Sequence, residues 1–343
     1  MVSRLLFAFW LALWPAPPAA LAPANAAQAS SIHTLTLPKK DGSIRFAVLG
    51  DSGTGEQDQY DLAKQMAGFH DDFPFDFVIM LGDNIVGADT PAEMVNKFTT
   101  PYKPLLDAGV VFHAVLGNHD NPNQRFYKPF NMGGDRYYTF RVAKGETGTT
   151  TASGVRFFAL DSGYLDKPQL EWVEKELSSP SSEWKIPFFH HPLYSSGKAH
   201  GSALESRALL EPLFIKYGVN AVFSGHDHVY ERITPQHGIA YWVSGAGGRL
   251  RKGGLGVSEL TAKGFDSDCH FMIVEIAGDD LYYQAISRTG TTVDSGVIHR
   301  SGGPAAAASV SPTPAPPPAA APALSPKPGS TTPDGTHPVV PSP

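Results

Sequence analysis

Six residues of this chain carry side chains that suit a metal ion, and each closes a short apolar run. Phe46-Ala-Val-Leu runs into Gly50-Asp51, Phe77-Val-Ile-Met-Leu into Gly82-Asp83-Asn84, and Val110-Val-Phe-His-Ala-Val-Leu into Gly117-Asn118-His119-Asp120. Ile186-Pro-Phe-Phe ends at His190-His191, and Ala221-Val-Phe-Ser at Gly225-His226-Asp227-His228. The donors are two carboxylates (Asp51, Asp83), one amide (Asn118) and three imidazoles (His190, His226, His228). Oxygen and imidazole donors without a thiolate suit iron, manganese or zinc. Six exceed what one tetrahedral zinc uses, so two ions fit the set. In two-metal sites the ions lie about 3.5–4 Å apart, a carboxylate can bridge them, and a metal-bound hydroxide is the nucleophile. His226 and His228 flank Asp227 and can reach different ions from one tight loop. In Asn118-His119-Asp120 the carboxylate can orient the imidazole and leave it free to meet a substrate oxygen.

Taken singly, each residue has an ordinary explanation. Asp or Asn after a strand commonly makes a turn, and a lone histidine beside an apolar run is commonly packed or exposed. That explanation suffices for His33, His70, His113, His237, His270 and His299, with His113 inside a strand. Asp227 is open between orienting its neighbours and shaping its loop. Tyr137-Tyr138 and Arg125-Phe-Tyr127 read as packing, and Ser195-Ser196 as loop. Gly245-Ala-Gly-Gly248 reads as a turn, since it lacks the Lys and Ser/Thr that complete a phosphate-binding loop.

The elements that must position these residues alternate. Short apolar runs bounded by Gly and Asp/Asn read as buried strands. Helical stretches lie between them: Gln57 to Phe69, Pro91 to Phe98 behind a Thr90 cap, Pro168 to Leu177 after Asp166, and Leu204 to Tyr217 before Gly218. Alternation of this kind predicts an α/β layered fold, with ligands gathered beyond the carboxyl ends of the strands. After Gly238 the pattern becomes strand upon strand. Ile239-Ala-Tyr-Trp-Val, Phe271-Met-Ile-Val-Glu-Ile and Leu281-Tyr-Tyr-Gln-Ala-Ile are expected to add antiparallel strands to one core. A hairpin is expected at Gly278-Asp279-Asp280.

The globular part is expected over residues 43–300, as one domain. Residues 1–29 read as a signal peptide. Arg4 precedes a run from Leu5 to Trp14 that is too short to span a bilayer, and small residues with candidate cleavage sites at Ala24-Asn25-Ala26 and Ala27-Gln28-Ala29 follow. An exported protein, periplasmic or extracellular, is therefore expected, with no transmembrane segment in the mature chain. Residues 301–343, rich in Ala, Pro, Ser and Thr, read as a disordered tail. The single cysteine, Cys269, excludes an internal disulfide, so packing and metal must hold the core. A formal net charge of −6 argues against a general nucleic-acid binder. The sequence leaves the oligomeric state open.

The ordered set Gly50-Asp51, Gly82-Asp83-Asn84, Gly117-Asn118-His119-Asp120, His190-His191-Pro192 and Gly225-His226-Asp227-His228 resembles the calcineurin-like metallophosphoesterases. Gly53, Gly82-Asp83-Asn84 and His228-Val-Tyr-Glu-Arg232 look most like the purple acid phosphatase branch. The likeness spans nearly all of Phe46 to Arg300. It implies a four-layer α/β/β/α sandwich with the active site at the strand carboxyl ends. It implies that Asp51 and His228 hold a first metal, that Asp83 bridges, and that Asn118, His190 and His226 hold a second. His190 takes the ligand role because the family pattern is His-x-Pro, which leaves His191 behind it or partly exposed. His119 with Asp120 would contact phosphate and protonate the leaving group, and His200 would stand on the substrate side.

One departure bears on the first metal. The iron-binding branch carries a tyrosine three residues after the bridging Asp, where this chain has Val86. The wider family's alternative, a histidine two residues after the first Asp, is Gly53 here. The purple charge-transfer colour is therefore not expected. The implied function is hydrolysis of small phosphate monoesters by a metal-bound hydroxide at two iron, manganese or zinc ions. A phosphodiesterase or nucleotidase, and a non-catalytic metal- or phosphate-binding protein, are the alternatives.

Overall fold

The computed structural model describes residues 34–144 and 154–300. The expected leader and the expected tail lie outside the described residues. In chain order the strands are β1 (Ile44–Leu49), β2 (Phe77–Met80), β3 (Val111–Ala114), β4 (Tyr138–Ala143), β5 (Gly154–Ala159), β6 (Trp184–Phe189) and β7 (Ala221–Ser224). They continue with β8 (Tyr230–Gln236), β9 (Ile239–Ser244), β10 (Thr261–Phe265), β11 (His270–Ala277), β12 (Asp280–Ser287) and β13 (Thr292–His299). One sheet has the order β13-β12-β11-β1-β2-β3, the other β10-β8-β9-β7-β6-β5-β4.

The two sheets pack face to face, and side-chain alternation along each strand builds three apolar layers. Phe46 and Val48 of β1 point into the space between the sheets, where they meet Phe157, Phe188 and Phe223. Phe46 stacks on Phe77 at 5.3 Å and meets Phe157 edge-on at 5.2 Å. Each such buried ring contributes about 1.5–3 kcal/mol relative to exposure. Ala47 and Leu49 point the other way, against Leu62, Met66 and Phe69 of the helix Gln57–Asp72. On the outer face of the second sheet, Phe158 and Val222 pack on Val173 and Leu177 of the helix Lys167–Ser178 and on Leu210 and Phe214 of Leu204–Lys216. Helix, sheet, sheet, helix is the four-layer sandwich the resemblance implies.

The local stops explain themselves. Asp166 caps Lys167–Ser178 by accepting from the Gln169 N–H, and Thr90 caps Pro91–Met94 through the Glu93 N–H. That short helix continues as a π turn over Val95–Thr99. The strands after Gly238 divide between the sheets. β11, β12 and β13 are antiparallel and extend the first sheet beside β1. β9 differs from the expectation, because it pairs parallel with β7 and antiparallel with β8. The reason is a tight hairpin at His237 and Gly238, with φ of 52° and 79°, which folds β9 back between β8 and β7. No helix among the described residues is long and apolar enough to cross a membrane.

Candidate metal centre

β1, β2 and β3 of the first sheet run parallel and end side by side, as do β5, β6 and β7 of the second. Asp51, Asp83 and Asn118 leave the first set, and His190, His226 and His228 leave the second. The chain kinks sharply at three of them: Asp51, Asp83 and His226 have φ of 53°, 52° and 70°. Non-glycine residues pay for this conformation, by about 1–2 kcal/mol each, so the surrounding contacts must hold it. Asp51 N–H donates to Gly82 O at 3.0 Å, His226 N–H to Asp51 Oδ2 at 2.8 Å, and His119 N–H to Asp83 Oδ1 at 3.0 Å. Gly117 is required here, because a Cβ on it would lie 2.1 Å from Asp83 Oδ1.

These turns bring the six predicted donors into two adjoining groups. In one, the ligand-capable atoms of Asp51, Asp83 and His228 all lie within 4.8 Å of one another. His228 Nε2 stands 3.4 Å from Asp51 Oδ1. In the other, His190 Nε2 lies 2.9 Å from Asn118 Oδ1, 3.1 Å from His226 Nδ1 and 3.6 Å from Asp83 Oδ1. Asp83 adjoins both groups.

The donor set fits a cation on the evidence of its lone pairs. His190 Nδ1–H donates to Leu81 O at 2.9 Å, which leaves Nε2 bare. That bare nitrogen faces the acceptor oxygens of Asn118 and Asp83 with no hydrogen between them. Asp51 Oδ1 and His228 Nδ1 are buried without a hydrogen-bond partner. Burial also pushes His190 down to about 3, His226 to about 2 and His228 to about 4, so the imidazoles are neutral, as ligands must be. Burial, then the neighbouring Asp83 charge, raises Asp51 well above the usual carboxylate range, and burial raises Asp83. Beside two buried carboxylates and three neutral imidazoles, the exposed Arg251 is a nearby positive charge, and it lowers Asp51 against the effect of burial.

Around this centre the remaining predicted residues fall differently. His119 is exposed beside the centre, with its backbone N–H on Asp83. His200, also exposed, lays its ring 4.1 Å from that of His226. Asp120 does not orient His119. Its two oxygens accept from Asn84 N–H (2.7 Å), Asn84 Nδ2 (2.9 Å), Ile85 N–H (3.0 Å) and Gly117 N–H (2.9 Å). Saturated in this way, the carboxylate ties the loop after β2 to the loop after β3. Asp227 resolves as a loop former: fully enclosed, it accepts from Ser195 Oγ at 2.5 Å and Gly201 N–H at 3.1 Å, which anchors the segment carrying His200.

His191 is partly exposed, as expected, but stands closer to the ligand group than expected, and Arg251 was not singled out in the sequence. His191 packs its ring 4.9 Å from His190 and 4.5 Å from His226, and it forms a compact group with both. Its Nδ1 is 3.0 Å from Ser162 Oγ, at the end of β5. Arg251, after β9, donates to His200 Nε2 at 3.3 Å, and its N–H reaches His228 O at 3.0 Å. The signal for Arg251 was the basic run Arg249-Leu-Arg251-Lys252 directly after a strand and a glycine turn. That turn has no free amides for phosphate on its first-sheet side, since Gly247 and Gly248 N–H donate to Gly50 O and Asp51 O.

The Gly53 departure is enforced by space: a Cβ there would lie 2.0 Å from Asn84 O, so no side chain fits. Val86, half-buried, donates its N–H to Gly53 O at 2.9 Å.

The sequence profile of the calcineurin-like phosphoesterase family matches residues 44–230. Purple acid phosphatase 4 of Arabidopsis thaliana is 29% identical over 250 residues, covering 63% of this chain and 71% of that protein. Tartrate-resistant acid phosphatase type 5 of Oryctolagus cuniculus is 24% identical over 265 residues, covering 63% and 78%. Among solved structures, GAP50, the anchor in the inner membrane complex of Plasmodium, superposes with a TM-score of 0.68 at 21% identity, covering 76% of this chain and 89% of that one. Fold, motif order and relatives converge: the chain belongs to the calcineurin-like phosphoesterase family and, within it, resembles the purple acid phosphatases.

Proposed function

We propose that the protein is a two-metal hydrolase of small phosphate monoesters. The observation that carries this reading is the meeting of bare acceptors around Asp83, with Asp51 and His228 on one side and Asn118, His190 and His226 on the other. Asp51, Asp83 and His228 would hold one cation, and Asn118, His190 and His226 the second. Iron, manganese or zinc suits these donors. Bound there, two such ions neutralise phosphoryl charge and supply a water nucleophile near neutral pH.

The chain's own groups do the rest. His119 and His200 are exposed beside the centre, where an imidazole can bind a phosphoryl oxygen or give a proton to a departing alkoxide. Asp227 holds the His200 segment in place, and Asp120 locks the two oxygen-bearing loops together. Positioning of this kind supplies most of what protein groups contribute to phosphoryl transfer. The leader-like sequence supports export to the periplasm or beyond, and the net charge of −6 supports a small phosphorylated substrate over nucleic acid. A second reading, a non-catalytic metal or phosphate binder, draws on Gly53 and Val86, which leave the first group with three side-chain donors.

The test is hydrolysis of p-nitrophenyl phosphate and of bis(p-nitrophenyl) phosphate by protein stripped of metal and then restored with iron, manganese or zinc. Thermal unfolding is followed on the same samples. Turnover is expected to vanish and return with metal, and the monoester is expected to react at least about tenfold faster than the diester. A chain that gains stability with metal yet turns over neither compound is the binding protein of the second reading. A diester preference makes it a phosphodiesterase.

A further inference from the structure

A groove outside the metal centre is lined by rings and cations. Two cavities of about 470 Å³ each adjoin at Arg125 and Gly134, and each has the size of a small-molecule site. Arg136, Tyr137 and Trp172 wall one of them, and Phe126 and Lys128 the other. The groove stands two strands away from His190: His190 follows β6, Arg136 and Tyr137 precede β4, and β5 lies between.

The loop that forms it is firmly built. Phe130 is fully buried, Asn131 Nδ2 donates to Phe112 O at 2.8 Å, and Gly134 N–H donates to Arg125 O at 3.0 Å. Gly134 has a φ of 92°, and a Cβ on it would lie 2.9 Å from Phe126 Cε1, so glycine is what admits the Phe126 ring there. That ring is 62% exposed. Arg125 lies over it at 4.5 Å and donates to Pro122 O at 2.8 Å. On the other wall Trp172, from the helix Lys167–Ser178, meets Tyr137 at 4.9 Å, and Arg136 lies over Tyr137 at 5.7 Å. The charge of Arg136 is met by Asp161 and Asp166. Arg125 and Lys128 have no carboxylate within salt-bridge distance among the described residues, and the carboxylate that lines the groove is Asp135.

Exposed rings beside unpaired cations favour one kind of ligand. A flat ring stacks on aromatic faces and on guanidinium planes, and the cations attract an anion. We propose that this groove binds a planar aromatic group carrying a negative charge. The ring lies against Tyr137 and Trp172, and the charge meets Arg125 where the two cavities join, with Lys128 beyond it. Binding there needs no metal ion. The group is either a free aromatic anion or the leaving group of a phosphate ester, and only the second source rests on the hydrolase reading.

The experiment uses the full-length chain and three probes. Naphthoate has ring and charge, naphthylmethanol the ring without the charge, and cyclohexanecarboxylate the charge without an aromatic ring. Binding is titrated calorimetrically and through tryptophan fluorescence, to which Trp172 contributes a half-buried ring while Trp184 and Trp242 are fully buried. Naphthoate is expected to bind at least about tenfold more tightly than either other probe and to quench the fluorescence. Arg125→Gln is expected to weaken naphthoate about tenfold and to leave naphthylmethanol unchanged. Trp172→Phe is expected to keep the heat of binding and lose the quench. Thermal unfolding checks that both variants are folded. Equal affinity for the three probes, undiminished naphthoate binding by Arg125→Gln, or a quench that survives Trp172→Phe each overturns the proposal. The two sources are separated by kcat/KM of the metal-loaded chain for carboxynaphthyl phosphate and for glycerol phosphate. A ratio of the first to the second that falls with Arg125→Gln assigns the groove to the leaving group, and a constant ratio assigns it to a free aromatic anion. A chain that hydrolyses neither ester ends the hydrolase reading and leaves the binding result to decide the groove.

Discussion

The two sheets bring different chemistry to the same seam. The first ends in oxygen: Asp51 after β1, Asp83 after β2, Asn118 after β3. The second ends in nitrogen: His190 after β6, His226 and His228 after β7, with Arg249 and Arg251 after β9. Neither edge alone offers both donor types. The two carboxylates of the oxygen edge are buried and raised by burial, while Asn118 is exposed; the imidazoles of the nitrogen edge are neutral, with exposed guanidiniums beside them. A centre built this way requires the sandwich to be closed, because each group draws donors from both sheets.

The comparison breaks first at Asp83, the oxygen that adjoins both groups. Asp83→Ala is expected to lower kcat/KM for p-nitrophenyl phosphate by roughly a thousandfold, from about 4 kcal/mol of lost charge stabilisation. Near-wild-type turnover by this variant would move the chemistry away from the seam.

A second contact between the sheets sharpens the comparison because it holds no ligand. His270 opens β11 in the first sheet and packs on the second, with Nε2 3.1 Å from Ser244 Oγ and its ring 5.3 Å from Tyr230, which donates to Asp294. Burial lowers its pKa from 6.5 to about 3. The folded state therefore holds it neutral while the unfolded chain takes up a proton below 6.5. Stability from this group is complete above that pH and is lost as pH falls toward the folded value, by roughly 3 kcal/mol at about pH 4. His270→Gln is expected to flatten the urea-unfolding free energy over that window. An unaltered slope would show that the acid sensitivity lies elsewhere.

The smallest effect tests the nitrogen edge alone. Asp227→Asn keeps the shape but weakens the hold on Ser195 and Gly201, so His200 loses its placement. KM for a monoester is expected to rise about tenfold, with a smaller change in kcat. A kcat loss at constant KM would instead assign Asp227 to the reacting centre.

Much of this was legible in the chain. Apolar runs that stop at Gly-Asp or His-His report buried strands and donor residues at once, and the six donors do meet. The roles that escaped depend on partners distant in sequence. Asp120 looks like an orienting group for its neighbour His119 until the N–H groups of Asn84 and Ile85, brought over from the preceding loop, fill it. Arg251 looks like a surface charge until the pinning of Gly247 and Gly248 to the first strand's turn carries it to His200. Gly53 looks like a missing ligand, but the Asn84 carbonyl above it leaves no room for one. β9 is a strand and pairs antiparallel with β8 as expected, but its parallel pairing with β7 escaped, because a hairpin turn decides which neighbour a strand returns to and apolar pattern alone does not encode that choice.

The placement of the donors across the seam has a kinetic consequence. The first lies at residue 51 and the last at residue 228, on separate sheets, so no short segment can gather a set in the unfolded chain. Cation binding must follow docking of the two layers. Its free energy then falls on the native side of the folding barrier, where it slows unfolding and leaves the folding rate almost unchanged. Metal held at this seam would act as a latch on a closed sandwich, and its removal would shorten the lifetime of the fold more than it hindered its formation.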